Sequence, residues 1–385
     1  MKIEQKIWTT EGGWQQHGNT LGTAEPQLVL VFGGREELMM EEHLTTLKDS
    51  YPTADIVLAS TAGEIAGTIV RDNSLSVCAL HFEKTKTVVV SGEISEGDFG
   101  EAIGTELVKK LDTENLRHIM VFSDGLKVNG TSLVTGILEH LPDTVSVTGG
   151  LAGDGADFVK TVTGLNETPV SGKVVLIGFY GNDINIGYGS LGGWDSFGPL
   201  RTITKSDKNV LYELDNKPAL TLYKQYLGEL ADNLPSSGLL FPLNLHMDDD
   251  EHGVSVVRTL LAVNEDDQSM TFAGDLPTGK KVNLMKANFD RLVDGAAGAA
   301  SMSTQSLENS VPELAILISC VGRKLVLKGR VEEETEAVKK TLGGDESTFI
   351  TGFYSYGEIS PVTATEKQCQ LHNQTMTITT FRETL

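Results

Sequence analysis

Two residue types in this chain stand where chemistry is commonly done: glycines that close apolar runs, and carboxylates that follow those glycines. The turns are Ala59-Ser-Thr-Ala-Gly-Glu-Ile-Ala-Gly67, Val147-Thr-Gly-Gly-Leu-Ala-Gly-Asp154 and Gly352-Phe-Tyr-Ser-Tyr-Gly-Glu-Ile-Ser-Pro361. Glycine adopts backbone conformations that point successive N–H groups into a turn, and such groups cradle anions. Gly63, Gly149, Gly150 and Gly153 are therefore candidates to hold a carboxylate, and Glu64, Asp154 and Glu358 to receive an ammonium group. An amino acid suits both ends. The plainer reading, in which the glycines turn corners and the carboxylates bond neighbouring turns, stays open beside it.

Enzymatic motifs fail on their context. No GxSxG, HExxH or CxxC occurs, which removes support for a hydrolase elbow or a zinc protease. Gly187-Tyr-Gly-Ser-Leu-Gly192 matches GxGxxG, but Gly193-Trp-Asp follows it instead of a helix. Gly274-Asp-Leu-Pro-Thr-Gly-Lys280 begins like a phosphate loop, yet Lys281 stands where a magnesium-binding hydroxyl belongs. The adjacent Ser123 and Asp124 lack a defined base and read as a helix-initiating loop. The chain is expected not to be an enzyme, with an enzyme of unrecognised mechanism kept as an alternative by its many glycine loops and carboxylates.

The elements that must position these turns recur. Apolar runs at Leu28 to Gly34, His118 to Gly125 and Leu314 to Gly322 read as buried strands. Each is followed by helical spacing: Leu38, His43, Leu44 and Leu47; Leu133, Val134, Ile137 and Leu138; Val331, Thr335 and Val338. A second strand, a glycine turn and a closing strand follow, the last at Leu75 to Phe82, Lys173 to Tyr180 and Thr375 to Phe381. The expected class is α+β, two modules of mixed β-sheets with helices built from recurring β-α-β-β units. The modules are placed at 1–192 and 193–385. Between the second and third copies, Thr202 to Leu214 reads as strand, turn and strand, and Pro218 to Leu227 as a helix. Asn233 to Gly253 reads as an irregular lid or insertion. Val254 to Ala273 reads as two strands, and the stretch near Met285 to Met302 as a helix.

Composition bounds the partners. Of 385 residues, 53 are acidic and 31 basic, a net charge of −22 that repels nucleic acid and anionic membrane surfaces. No run approaches the roughly 18 apolar residues of a membrane helix, and Met1 to Gly18 lacks a secretory apolar core. Cys78, Cys320 and Cys369 are widely spaced and odd in number, which fits a reducing cytoplasm. A soluble cytoplasmic protein is expected.

Ser60-Thr-Ala-Gly-Glu-Ile65, Gly149-Gly-Leu-Ala-Gly-Asp154, Gly193-Trp-Asp-Ser-Phe-Gly-Pro199 and Gly352-Phe-Tyr-Ser-Tyr-Gly-Glu-Ile359, together with Leu371-His-Asn-Gln-Thr375, resemble the FIST sensory family across nearly the whole chain. The resemblance implies a small-molecule sensor in signal transduction. Its partner would be a separate signalling protein such as a histidine kinase or a cyclic-di-GMP enzyme, because no output segment is visible; a homo-oligomer is left open. A stand-alone subgroup resembles haem-based nitric-oxide sensors. For haem the iron needs an axial ligand, and His246, in Phe241-Pro-Leu-Asn-Leu-His-Met247, is the candidate cofactor and metal ligand. Against it stands a solvated loop histidine ahead of the acidic run Asp248 to Glu251. His372 reads as a structural hydrogen-bonding residue.

Overall fold

A computed structural model describes residues 1–247, 255–305, 307, 310–344, 347–362 and 369–384. The recurring unit is present three times. Its lead strands are Leu28–Gly33, Leu116–Ser123 and Leu314–Cys320, almost wholly buried because their apolar runs are covered on both faces. After each comes helix: Arg35–Met39 and Glu41–Ser50 in the first copy, Gly130–Leu138 in the second, Val321–Leu327 and Glu332–Thr341 in the third. The second strands, Asp55–Ser60, Ser146–Leu151 and Phe349–Ser355, run parallel to the lead strands. The closing strands, Ser74–His81, Lys173–Tyr180 and Met376–Glu383, run antiparallel on the lead strands' other side. Leu38, Leu44, Leu47, Leu133, Ile137 and Val338 point inward, as their spacing requires.

The units are not closed upon themselves. The strand after each second strand crosses to another unit and pairs antiparallel with that unit's second strand. Glu64–Ala66 of the first unit pairs with Phe349–Ser355 of the third. Gly357–Pro361 of the third pairs with Ser146–Leu151 of the second. Thr163–Leu165 of the second pairs with Asp55–Ser60 of the first. This exchange completes a cycle. An outer strand flanks each closing strand: Lys2–Thr9, Lys86–Glu93 and Ile184–Leu191. The position 192/193 thus follows a strand that belongs to the third unit's sheet, and both halves of the chain contribute strands to two of the three sheets. The three sheets share one core, centred on the rings of Phe32, Phe122 and Phe353, whose centroids lie 4.8, 5.5 and 6.1 Å apart.

A sheet-and-helix insertion separates the third unit's outer and lead strands. It holds Asp195–Asp207, Val210–Leu214, Leu243–His246, Ser255–Arg258, Leu260–Asn264, Ser269–Phe272 and Lys281–Lys286, with the helix Ala219–Leu227 over its own core. The stretch expected to be irregular from Asn233 contains the turn Ser236–Leu240 and the strand Leu243–His246; its residues 248–253 lie outside the described residues. The long helix runs Phe289–Gln305, not from Met285, which is in a strand. Gly187 and Gly189, the glycines of the failed dinucleotide motif, let this helix lie on the sheet: a Cβ there would come within 1.8 Å of Ser303 O and 2.2 Å of Ala299 O. Among the described residues, no helix is long and apolar enough to cross a membrane.

Candidate functional site

At one end of the three-sheet body, where the lead strands exit, each unit carries a buried carboxylate that fastens the start of its closing strand. Glu64 Oε2 accepts from Ser74 N (3.1 Å) and Ser74 Oγ (2.7 Å), and Oε1 accepts from Thr61 Oγ1. Glu358 repeats the arrangement: Oε2 accepts from Thr375 N (3.1 Å) and Thr375 Oγ1 (2.9 Å), and Oε1 from Ser355 Oγ (2.8 Å). In the second unit the carboxylate comes from the lead-strand exit instead. Asp124 Oδ2 accepts from Gly172 N and Ser171 Oγ, both at 2.7 Å, and its Oδ1 from Leu126 N and Lys127 N. Burial raises the pKa of the two glutamates, Glu64 to about 7 and Glu358 to about 8, against the lowering effect of their hydroxyl and N–H donors.

Beside the first of these turns lies an open cleft of about 710 Å³ that takes walls from all three units. The first unit gives Gly34 to Glu37, Thr61 to Glu64, Asp72 and Asn73; the second gives Asp154 to Asp157; the third gives the helix residues Val321, Lys324, Leu325 and Lys328. Two ion pairs span it. Arg35 Nη1 lies 3.2 Å from Asp154 Oδ2 and joins the first unit to the second. Lys324 Nζ pairs with Asp72 Oδ1, donates to Ala62 O at 2.8 Å and sits over the Tyr354 ring, joining the third unit to the first. Cations and carboxylates therefore face one space, and every ion pair within it crosses a unit boundary.

Of the residues expected to bind, the cleft gathers Gly63, Glu64 and Asp154. The anion nest is corrected. Gly149 and Gly150 lie inside the strand Ser146–Leu151, paired with Leu116–Ser123 on one side and Gly357–Pro361 on the other. Gly149 is there for close approach: at φ 156° a Cβ would stand 2.0 Å from Val121 O. The N–H of Gly153 donates to Ser60 O at 2.8 Å, and that of Gly63 to Thr61 Oγ1 at 3.1 Å. The ammonium role is corrected for Asp154. Its oxygens accept from Phe158 N, Val159 N and Lys160 N (2.7–3.0 Å), from Tyr356 OH and from Arg35, so it organises its own loop. Glu64 and Glu358 hold turns in the same manner, and Glu358 is not among the cleft's lining residues. Sequence reasoning missed Arg35, Asp72, Lys324 and Lys328. The signal that could have found Arg35 and Asp72 is charge placed beside the turns, in Gly34-Arg and Asp72-Asn-Ser; nothing local marks Lys324 and Lys328.

The FIST N domain model matches residues 27–217 and the FIST C domain model residues 219–361. The chain belongs to the FIST family. No curated protein matches it. Among solved structures it is similar to cyanuric acid hydrolase from A. caulinodans, 9% identical over 100% of this chain and 99% of that one, with a TM-score of 0.33, a likeness from which nothing about activity passes to this protein. FIST domains are small-molecule sensory domains of signal transduction, and the cleft of this FIST protein is an open space lined by all three units.

His246 is the residue named above as the candidate haem ligand. The residue is buried in the strand Leu243–His246, not solvated in a loop, and that strand lies between Ser255–Arg258 and Lys281–Lys286. Its Nε2 lies 3.0 Å from Asn283 Oδ1 and 3.2 Å from Asn244 Nδ2. Among the described residues no group of three or more His, Cys, Asp or Glu is placed to hold a metal ion. His372 donates to Ser360 O at 2.9 Å, and burial lowers its pKa to about 4.

Proposed function

We propose that this FIST protein is a non-enzymatic sensor that binds a small metabolite bearing a carboxylate, with an amino acid as the representative case, in the cleft between its three units. The observation that carries the reading is the pair of unit-bridging ion pairs, Arg35–Asp154 and Lys324–Asp72, within one open space. A ligand carboxylate competes for Arg35 and Lys324, and a ligand ammonium for the Asp72 it releases. Binding thus exchanges contacts between units for contacts to ligand, which gives the bound and free states different energies, as a sensor requires. The output passes to a separate signalling protein, such as a histidine kinase or a cyclic-di-GMP enzyme, in the cytoplasm.

The test is a thermal-shift and calorimetric screen of free amino acids against the full chain. The expected result is saturable binding by at least one amino acid, weakened tenfold or more by Arg35→Ala together with Lys324→Ala. Binding that is indifferent to the double substitution would place the ligand elsewhere.

A further inference from the structure

The three fastened turns are equivalent positions of one repeated unit, so the spaces beside them can be compared. Beside the first turn the cleft is open, and Asp72 and Asn73, the two residues before Ser74, line it. Their counterparts in the third unit are Asn373 and Gln374, immediately before Thr375. Asn73 and Gln374 share the same left-handed backbone, at φ 55° and 61°.

In the third unit that space is covered by the insertion. Gln374 Nε2 donates to Leu239 O at 3.4 Å, Trp194 Nε1 donates to Gln374 O at 2.8 Å, and Arg258 Nη1 donates to Leu371 O at 3.1 Å. Asn373 is 1% exposed and Gln374 0%. Yet neither Nδ2 nor Oδ1 of Asn373, nor Oε1 of Gln374, has a hydrogen-bond partner among the described residues. Thr259, next to Arg258, and Ser360, whose carbonyl accepts from His372, also carry buried hydroxyls without a partner among the described residues. Three of the nine unpartnered buried side-chain atoms among the described residues thus belong to two adjacent residues. Buried polar groups are almost always bonded, so these atoms call for a partner beyond the protein's own groups. Arg258 adds a buried guanidinium whose donors go to the carbonyl oxygens of Asp275, Val257 and Leu371, with no ion pair among the described residues.

We infer that the seam between the insertion and the third unit is a second, enclosed binding site, which takes a small molecule with an amide-like edge. Asn373 requires an N–H donor beside an oxygen acceptor, and Gln374 requires a further N–H; carboxamides, ureides and pyrimidine bases present this pattern. The site is distinct from the open cleft and does not depend on the ligand proposed there. Gly322 sets its floor: a Cβ at that position would stand 2.4 Å from Gln374 Nε2 and push the amide aside.

The test uses the full chain. Crystal structures are determined as purified and after soaking with glutamine, uracil and hydantoin, and the same probes are screened by thermal shift. The expected result is non-water density bonded to Asn373 and Gln374, or a rise in melting temperature of ~2 °C or more with one probe. That rise is retained by Arg35→Ala and lost in Asn373→Leu and in Gly322→Ala. The proposal is overturned if the seam holds only waters, or closes on protein partners, in every crystal and no probe gives a shift lost in Asn373→Leu. It is equally overturned if a probe's shift survives both seam variants with the seam empty of that probe.

Discussion

Glu64 and Glu358 make the stability of the fold fall as pH rises through neutrality. In the unfolded chain each ionises near 4.5; in the folded protein burial holds Glu64 protonated to about 7 and Glu358 to about 8. Between those values the native state binds more protons than the unfolded state, so each step up in pH favours unfolding. The stability the two groups contribute is complete below pH 4.5 and is lost as pH passes 7 and 8. Over pH 5 to 8 the loss is on the order of 3 kcal/mol for each glutamate. His372 acts in the opposite sense. Its folded pKa is lowered to about 4 from 6.5, so its contribution is lost as pH falls toward 4 and is present above 6.5. The comparison that isolates the glutamates is therefore the wild type against Glu64→Gln with Glu358→Gln. Glutamine keeps an oxygen acceptor for Ser74 or Thr375 and an N–H₂ donor for the hydroxyl of Thr61 or Ser355, but cannot ionise. Urea unfolding at pH 5, 6, 7 and 8 should show the wild type losing several kcal/mol more than the double variant. Parallel curves for the two proteins would refute the assignment of neutral buried carboxyls.

The unit-bridging pairs at the cleft are part-exposed, so Arg35→Ala or Lys324→Ala should change stability by no more than about 1 kcal/mol in urea unfolding while weakening the ligand response. Phe122→Ala removes one ring of the central trio and should cost about 3–5 kcal/mol by the same measurement. Glu334 is fully buried and accepts from Arg323 (2.8 and 3.1 Å), Ser319 Oγ (3.0 Å) and Tyr354 OH (2.5 Å); Glu334→Ala strands the guanidinium and should cost about 3–5 kcal/mol, seen as a lower urea midpoint. Gly352→Ala, at φ 156° and with a Cβ 1.8 Å from Leu317 O, should yield little folded protein by circular dichroism, since the neighbouring strand has nowhere to move.

The strands and the repeat were legible because each lead strand is a short apolar run closed by turn residues, a pattern that burial on both faces demands. The exchange was not. Glu64-Ile-Ala and Gly357-Glu-Ile look the same whether they pair within their own unit or another, because a three-to-five-residue strand carries no record of its partner. For the site, the residues named by their place in a turn divide by what the turn does with them. Gly149 and Gly150 looked like a nest because two adjacent glycines mark free backbone as readily as they mark two strands in close approach. Asp154 looked available because the three N–H groups that saturate it come from Phe158 to Lys160, a loop with no sequence signature. Arg35 and Lys324 lie almost 300 residues apart in the chain and line one cleft only because the units close into a ring, and no local pattern announces that. His246 was misjudged for a related reason: its strand is defined by pairing with Lys281–Lys286, not by its own alternation.

The cyclic exchange also constrains how occupancy of the cleft can be reported. Each unit's sheet is finished by a strand from another, so none of the three can swing away without breaking a ladder that belongs to its neighbour. Large rotations between units are thereby costly, and the response must travel through elements that are packed but not exchanged. The helix Val321–Leu327 is such an element. Lys324 on this helix reaches into the cleft and holds Ala62 and Asp72 of the first unit, while the adjacent Arg323 grips the root of the insertion through the carbonyl oxygens of Gly192 and Leu292. A ligand that draws Lys324 away from Asp72 therefore acts on a helix whose neighbouring residue carries the insertion. The insertion has its own core and its own sheet, and meets the third unit along a seam of incompletely bonded side chains. In the proposed reading it is the part of the molecule that shifts as a body, and the face on which a partner protein reads the change.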